Sequence, residues 1–312
     1  MNSFSPDPPR VVRPTRVDDL IDSRLMARLQ RLDVVSRKIF SGRIQGERRS
    51  RRRGISVEFA DFRPYVHGDD LRFVDWNIYG RLDRLFMKIF LEEEDLSLLV
   101  AVDTSASMDW GTPNKFEYAR RLAMALGYIG LSNQNRVSMC AFGGEGGVQH
   151  LNNLRGRRRT RELGQWLLDL EPGGSGRFQE AMKNLALSRL GRGVVVVLSD
   201  FMFKEGYQDG LRMLAGRGFD LFAAQVLSPE ELDPASRGMS GDLRLVDLED
   251  EAETEVTVSE QLLRTYKDSL NRYCGELREY CIRRDITHML VDTSTDLDVM
   301  LVEYFRRRGL LR

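Results

Sequence analysis

The sequence predicts an α/β protein with a doubly wound, mostly parallel sheet, preceded by a helical and β extension. Two observations carry this. Leu96–Val102 and Val194–Leu198 are continuous apolar runs of strand length, as expected for strands buried on both faces. From Leu96 onward such strands alternate with helical stretches, the pattern of a sheet covered by helices on both sides.

In chain order, residues 1–16 are rich in Pro and Arg, lack periodicity and are expected to form a disordered arm. Residues 18–40 read as a helix, with Leu25, Leu29, Leu32 and Ile39 near a 3.5-residue period, closed by Gly42 and Gly46. Ile55, Val57 and Phe59 alternate, as do Phe86, Lys88 and Phe90, so both segments read as strands. After strand Leu96–Val102 come helix Lys115–Leu131, strands Arg136–Phe142 and Val148–Leu151, and helix Thr160–Leu170. Helix Phe178–Leu190, strand Gly193–Ser199, helix Glu205–Ala215 and strand Phe219–Leu227 follow. Short β segments Asp242–Asp247 and Glu255–Val258 lead into a long helix, Ser259–Arg284. Strand Ile286–Val291 and helix Thr295–Arg308 close the chain.

The 312 residues are enough for one large domain and a smaller one, and 42% hydrophobic content supplies a core. Lys+Arg and Asp+Glu balance at 47 each, which argues against a dedicated nucleic-acid binder. The 3 cysteines, Cys140, Cys274 and Cys281, form no C-x-x-C pair and fit a reducing compartment. The N-terminus lacks the apolar stretch of a signal peptide, and no run reaches the roughly 20 residues of a membrane span. A cytoplasmic protein without an integral membrane span is expected.

Ligands of open α/β sheets bind beyond the carboxyl ends of strands. Two strands here end in oxygen-bearing residues: Val102 runs into Asp103, and Leu198 into Ser199-Asp200. Asp103-Thr104-Ser105-Ala106-Ser107 has the pattern D-x-S-x-S directly after a buried strand. A hard cation such as Mg²⁺ takes oxygen ligands, and alternating hydroxyls backed by a carboxylate provide them. The competing reading is a strand-to-helix turn with capping hydroxyls.

The segment resembles the metal-ion-dependent adhesion site of von Willebrand factor A domains. The resemblance implies a von Willebrand factor A-like fold, with Ser105 and Ser107 as hydroxyl ligands of Mg²⁺ or Mn²⁺. It also implies that Asp103 and Asp200 act largely through hydrogen bonds and water. The family places a threonine ligand on an intervening loop, which here reads Pro172-Gly173-Gly174-Ser175-Gly176-Arg177-Phe178. Ser175 supplies the hydroxyl in the favoured alignment; in the other, Gly176 takes the threonine position and a ligand is lost.

Upstream, Gly54 to Trp76 interleaves the carboxylates Glu58, Asp61, Asp69, Asp70 and Asp75 with Arg63 and Arg72 and the aromatics Phe59, Tyr65 and Trp76. This density predicts a buried or half-buried ion-pair network fixing a small subdomain to the α/β domain, in preference to a catalytic carboxylate cluster. Gly68 before two aspartates predicts a tight turn. The segment resembles the signature of the domain of unknown function 58 family, which joins it to a von Willebrand factor A-like domain. The likeness spans about residues 20 to 310, including Leu245-Val-Asp247-Leu-Glu249. It implies residues 17–92 as a helix-and-signature subdomain and 93–312 as the von Willebrand factor A-like domain.

The Arg48–Arg53 and Arg155–Arg161 runs are read as solvated loops, with anionic partners as the alternative. His67, His150 and His288 are scattered, so zinc is not expected. A Walker A loop, a G-x-S-x-G elbow and a G-x-G-x-x-G fingerprint are absent. The leading expectation is a non-enzymatic, metal-dependent interaction module. The resemblance implies a MoxR-type AAA+ ATPase, or its client, as partner, with a role in protein maturation. The rivals are a Mg²⁺-dependent phosphoester hydrolase using Asp103 or Asp200, which the lack of D-x-D disfavours, and a metal-free structural adaptor.

Overall fold

A computed structural model describes residues 13–36, 57–92, 96–174, 177–188, 193–234, 241–246 and 253–312. The expectations for residues 1–12, Ile39, Arg48–Arg53, Ser175, Gly176 and Asp247 lie outside the described residues, as do those for the side chains of Glu58, Phe59 and Asp61. The chain divides into two compact units, Met1–Ser41 with Leu96–Arg312, and Gly42–Asp95.

The expected helix over residues 18–40 is two short helices, α1 (Val17–Leu20) and α2 (Ser23–Leu29). Asp22 starts the second by accepting a hydrogen bond from the Leu25 amide, as an N-cap aspartate does. Before α1 the Thr15 and Arg16 amides donate to the Asp19 carboxylate. After a turn beyond α2 the chain is extended: Asp33 and Arg312 exchange backbone hydrogen bonds, and the Val35 amide donates to the Leu310 carbonyl. Tertiary pairing with the C-terminus thus replaces the last helical turns.

In the Gly42–Asp95 unit, β1 (Val57–Pro64) and β2 (Phe86–Glu92) pair antiparallel, with an irregularity between Phe59 and Asp61. Between them lies α3 (Trp76–Leu82), begun by Asp75, whose carboxylate accepts from the Asn77 and Ile78 amides. Gly68, at φ +101°, makes the expected turn. Among the described side chains, the expected buried or half-buried network is represented by three ion pairs, with Asp75 buried and the Asp69 carboxylate 6% exposed. Arg63 grips Asp69 through two bonds of 2.7 and 2.8 Å, Arg72 pairs with Asp70, and Lys88 lies 3.1 Å from Asp75. The first two pairs join near neighbours in sequence. The Arg72 and Asp70 side chains keep 75% and 42% of their surface exposed.

The larger unit contains a six-stranded sheet. Its strands are β3 (Ser97–Asp103), β4 (Arg136–Phe142), β5 (Gln149–Leu154), β6 (Gly193–Ser199) and β7 (Asp220–Leu227), and finally β10 (Thr287–Asp292). β8 (Gly241–Val246) and β9 (Glu253–Val258) form a separate antiparallel pair. The order in the sheet is β10-β7-β6-β3-β4-β5, parallel throughout except for β5. The expected continuous apolar runs are therefore parallel core strands. The chain steps from β3 to β4 on one side, then returns to place β6 on the other. At such a reversal, beyond the carboxyl ends of what are here β3 and β6, open α/β sheets bind their ligands.

Alternate residues of β3 serve opposite faces. Leu98, Val100 and Val102 pack with Leu122, Leu126 and Ile129 of α4 (Lys115–Ser132), with Leu163 and Leu167 of α5 (Thr160–Leu168), and with Leu20 and Leu29. Leu99 and Ala101 join Phe178 and Met182 of α6 (Phe178–Leu187) and Leu211 of α7 (Gln208–Ala215). After the short α8 (Pro229–Leu232), the long α9 (Glu260–Ile282) adds Leu277 and Cys281 to that second face. Cys140 and Cys281 are buried, and all three cysteines are free thiols. Among the described residues no helix is long and apolar enough to cross a membrane.

Candidate metal centre

The last residue of β3, Asp103, is fully buried. Its Oδ1 accepts a 2.9 Å hydrogen bond from the Ser105 amide, and its Oδ2 accepts a 2.6 Å bond from the Ser199 hydroxyl of β6. The carboxylate thus ties together the two strand ends at the switch point. Asp200 follows Ser199 and is also buried; its Oδ1 accepts from the Met202 amide at 3.0 Å. Burial pushes the Asp103 carboxyl well above the ordinary carboxylate range. The nearby negative charge of Asp200 adds to the rise, against hydrogen bonds from Ser199 and Ser105.

The Ser105 side chain makes no capping hydrogen bond to the short 3-10 turn Ala106–Met108 that follows it. Its hydroxyl lies 3.1 Å from that of Ser107 instead. This is evidence against the capping reading of the motif. In an octahedron with bonds of about 2.0–2.1 Å, adjacent oxygens stand roughly 2.9 Å apart. The two hydroxyls, hydrogen-bonded to each other at 3.1 Å, are near enough for one cation to take both, and hydroxyls beside a carboxylate are donors of the kind a hard cation accepts. Among the described residues no group of three His, Cys, Asp or Glu side chains stands at metal-ligand spacing. A cation here depends on the hydroxyls.

Two neighbouring loops close on this turn. The Thr104 amide donates to the Phe142 carbonyl at the end of β4, and the Thr104 hydroxyl donates to the same oxygen. Gly143 follows at φ +95°, and a Cβ there would meet Asp103 Oδ1 at 2.8 Å and the Ser105 amide nitrogen at 3.0 Å. Only glycine lets this backbone approach so near. From the other side, the Gly173 amide donates to the Thr104 carbonyl and the Ala106 amide to the Gly174 carbonyl. The Gly173-Gly174 loop thus flanks the motif as expected, whereas Ser175 and Gly176 lie outside the described residues.

Sequence reasoning missed two members. Lys115, the first residue of α4, is buried, and its ammonium lies 2.9 Å from Asp200 Oδ2 and 2.6 Å from Glu231 Oε1. Burial opposes the ammonium, but Asp200 and Glu231 outweigh it and raise the lysine pKa above its ordinary value. Glu231 is held in a capping box on α8, its other oxygen accepting from the Ser228 amide at 2.8 Å. The S-P-E-E spacing of that box is visible in the sequence. Nothing marks Lys115 there, because its partners lie 85 and 116 residues away.

These features define an α/β protein with two buried carboxylates, paired hydroxyls and an internal ammonium at the carboxyl edge of its sheet. The chain belongs to the family described as Protein of unknown function DUF58, whose model matches residues 61–273. It is similar to the uncharacterized proteins Mb1516 of Mycobacterium bovis and Rv1480 of Mycobacterium tuberculosis. Each is 26% identical over 316 residues, with 97% of both chains covered. Two solved structures are similar more distantly. Conserved hypothetical protein BatB from Bacteroides thetaiotaomicron has 15% identity and a TM-score of 0.41, covering 69% of this chain and 98% of that one. Pilus adhesin SpaC from Lactobacillus rhamnosus GG has 11% identity and a TM-score of 0.44, covering 71% and 31%. At these scores the likeness is too loose to define the fold.

Proposed function

We propose that the sheet unit is a von Willebrand factor A-like domain acting as a non-enzymatic, metal-dependent protein-interaction module. The observation that carries this reading is the Ser105–Ser107 hydroxyl pair, 3.1 Å apart, on a turn whose Ser105 amide donates to the buried Asp103 carboxylate. Burial, with Asp200 nearby, opposes ionisation of Asp103, and an added cation would lower that cost. The hydroxyls would ligate Mg²⁺ or Mn²⁺, while Asp103 and Asp200 would act through hydrogen bonds and water. Ser175 is the candidate for a third hydroxyl. Mg²⁺ keeps several waters, and the carboxylate of a partner replaces one of them.

The proposed partner is a MoxR-type AAA+ ATPase or its client, a reading that rests on the family resemblance. The proposed cellular place is the cytoplasm. The test is calorimetric titration of the full chain with Mg²⁺ and Mn²⁺ beside Asp103→Ala and Ser105→Ala, followed by capture of the ATPase with and without the ion. Saturable binding lost in both variants, with metal-dependent capture, is expected. Metal-independent capture unaltered by Ser105→Ala would leave a structural adaptor. Phosphoester turnover that collapses in Asp103→Ala would make the protein a hydrolase.

A further inference from the structure

The reading of Ser105, Ser107, Asp103 and Asp200 as a cation site leaves the buried Lys115 without a role. Its ammonium sits on Asp200 Oδ2 at 2.9 Å and on Glu231 Oε1 at 2.6 Å, with the side chain 1% exposed. Each carboxylate is also held by backbone, Asp200 Oδ1 by the Met202 amide and Glu231 Oε2 by the Ser228 amide. Neither acid is therefore a mobile surface group that meets the lysine by chance. The ammonium is a fixed positive charge in direct contact with one of the two acids expected to attract the ion.

We propose that Lys115 is the resident cation of this site and sets its affinity for divalent metal. The proposal rests on the cation-site reading. With Lys115 on Asp200, that carboxylate is already neutralised, and an arriving divalent ion meets an adjacent like charge. Glu231 is the second seat of the ammonium: when metal takes the Asp200 side, Lys115 remains paired with Glu231 instead of being left alone in the interior. The hydroxyl pair therefore holds metal weakly by construction, and a partner carboxylate adds the negative charge that Lys115 cancels. Metal and acidic partner then bind with mutual reinforcement.

The test is Mn²⁺ binding, by calorimetry and by the loss of the free-ion electron paramagnetic resonance signal. The full chain is compared with Lys115→Arg, Glu231→Gln, Lys115→Met/Glu231→Gln and Ser105→Ala. The double variant removes the ammonium together with one of its acids, so fewer buried charges are stranded than in Lys115→Met alone. It is expected to bind Mn²⁺ on the order of tenfold more tightly than the wild type. Lys115→Arg keeps the charge and is expected to match the wild type. Glu231→Gln commits the ammonium to Asp200 and is expected to weaken binding several-fold; this arm decides the matter if the double variant does not fold. Saturable, Ser105-dependent binding in the wild type, with equal or weaker affinity in the double variant or unchanged affinity in Glu231→Gln, would overturn the role of Lys115 and leave the cation site standing. No Mn²⁺ binding by any of the proteins would overturn both.

Discussion

Acidic and basic side chains crowd two regions of this chain, with different consequences. In the hairpin unit, Arg72 and Asp70 meet two residues apart and keep 75% and 42% of their side-chain surface exposed. In the sheet unit, Lys115, Asp200 and Glu231 come from three distant segments, and Lys115 and Asp200 retain 1% of their side-chain surface. Arg120 is buried as well, but its acid partner stands only three residues away on the same helix. It pairs with Glu117 while buried, and it also donates to the carbonyls of Leu167, Leu168 and Leu170. The difference lies in where the partners come from: near neighbours in the hairpin unit, distant segments for Lys115. Local pairs form wherever neighbours permit. A buried set needs strands and helices to deliver its members together, and it must be complete because unpaired buried charge is costly.

The largest expected effect contrasts the two regions directly. Lys115→Met strands Asp200 and Glu231 in the interior and is expected to cost about 3–5 kcal/mol. Arg72→Ala is expected to leave the urea midpoint unchanged, since exposed pairs contribute little. Equal losses in the two variants would erase the distinction.

Acid titration is expected to separate the regions next. His288, hydrogen-bonded to Gln225, has its pKa pushed down from 6.5 to about 4, chiefly by burial. The unfolded chain therefore binds the proton first, and stability is lost as pH falls from about 6.5 toward 4, by at most ~3 kcal/mol. Asp70, lowered to about 2 by its hydrogen bonds with Arg72, acts in a lower window, and its contribution is lost as pH falls from 3.8 toward 2. Urea unfolding at pH 7, 5.5 and 4.5 is expected to show a slope that His288→Gln flattens and Asp70→Asn does not.

The smallest contrast lies between two glycines. Gly68 and Gly143 both have positive φ, but a Cβ at Gly68 meets nothing within 4 Å, whereas one at Gly143 meets Asp103 Oδ1 at 2.8 Å. Gly68→Ala is expected to cost about 1 kcal/mol of backbone strain, and Gly143→Ala about 1–3 kcal/mol together with weakened Mn²⁺ binding. Identical thermal midpoints and metal affinities for the two variants would show that the loop after β4 does not shape the site.

Much of the fold was legible because its signals are local. The runs Leu96–Val102 and Gly193–Ser199 read as buried strands, and they correspond to β3 and β6, both central strands of the sheet. The N-terminal helix was over-read because the period of Leu25, Leu29 and Leu32 continues where the backbone of Asp33 and Val35 has turned to pair with the C-terminus. At the candidate site, the order Asp103, Ser105, Ser107, then Asp200 was visible, since each residue follows a recognisable strand. Ser199 as the bridge to Asp103, Gly143 as the opening for that carboxylate, and Lys115 with Glu231 as the charge balance were not.

The sequence by itself determined the alternation of strands and helices, the apolar faces of those elements, and the polar residues standing at strand ends. These are set by periodicity and by groups a few residues apart, where short-range sterics and hydrogen bonding dominate. Only the tertiary structure decided which charges became buried partners. A lysine at the start of one helix reaches an aspartate 85 residues on and a glutamate 116 residues on because the parallel crossovers bring their segments to one edge of the sheet. Removal of water from that edge is what turns three ordinary ionisable side chains into a coupled set.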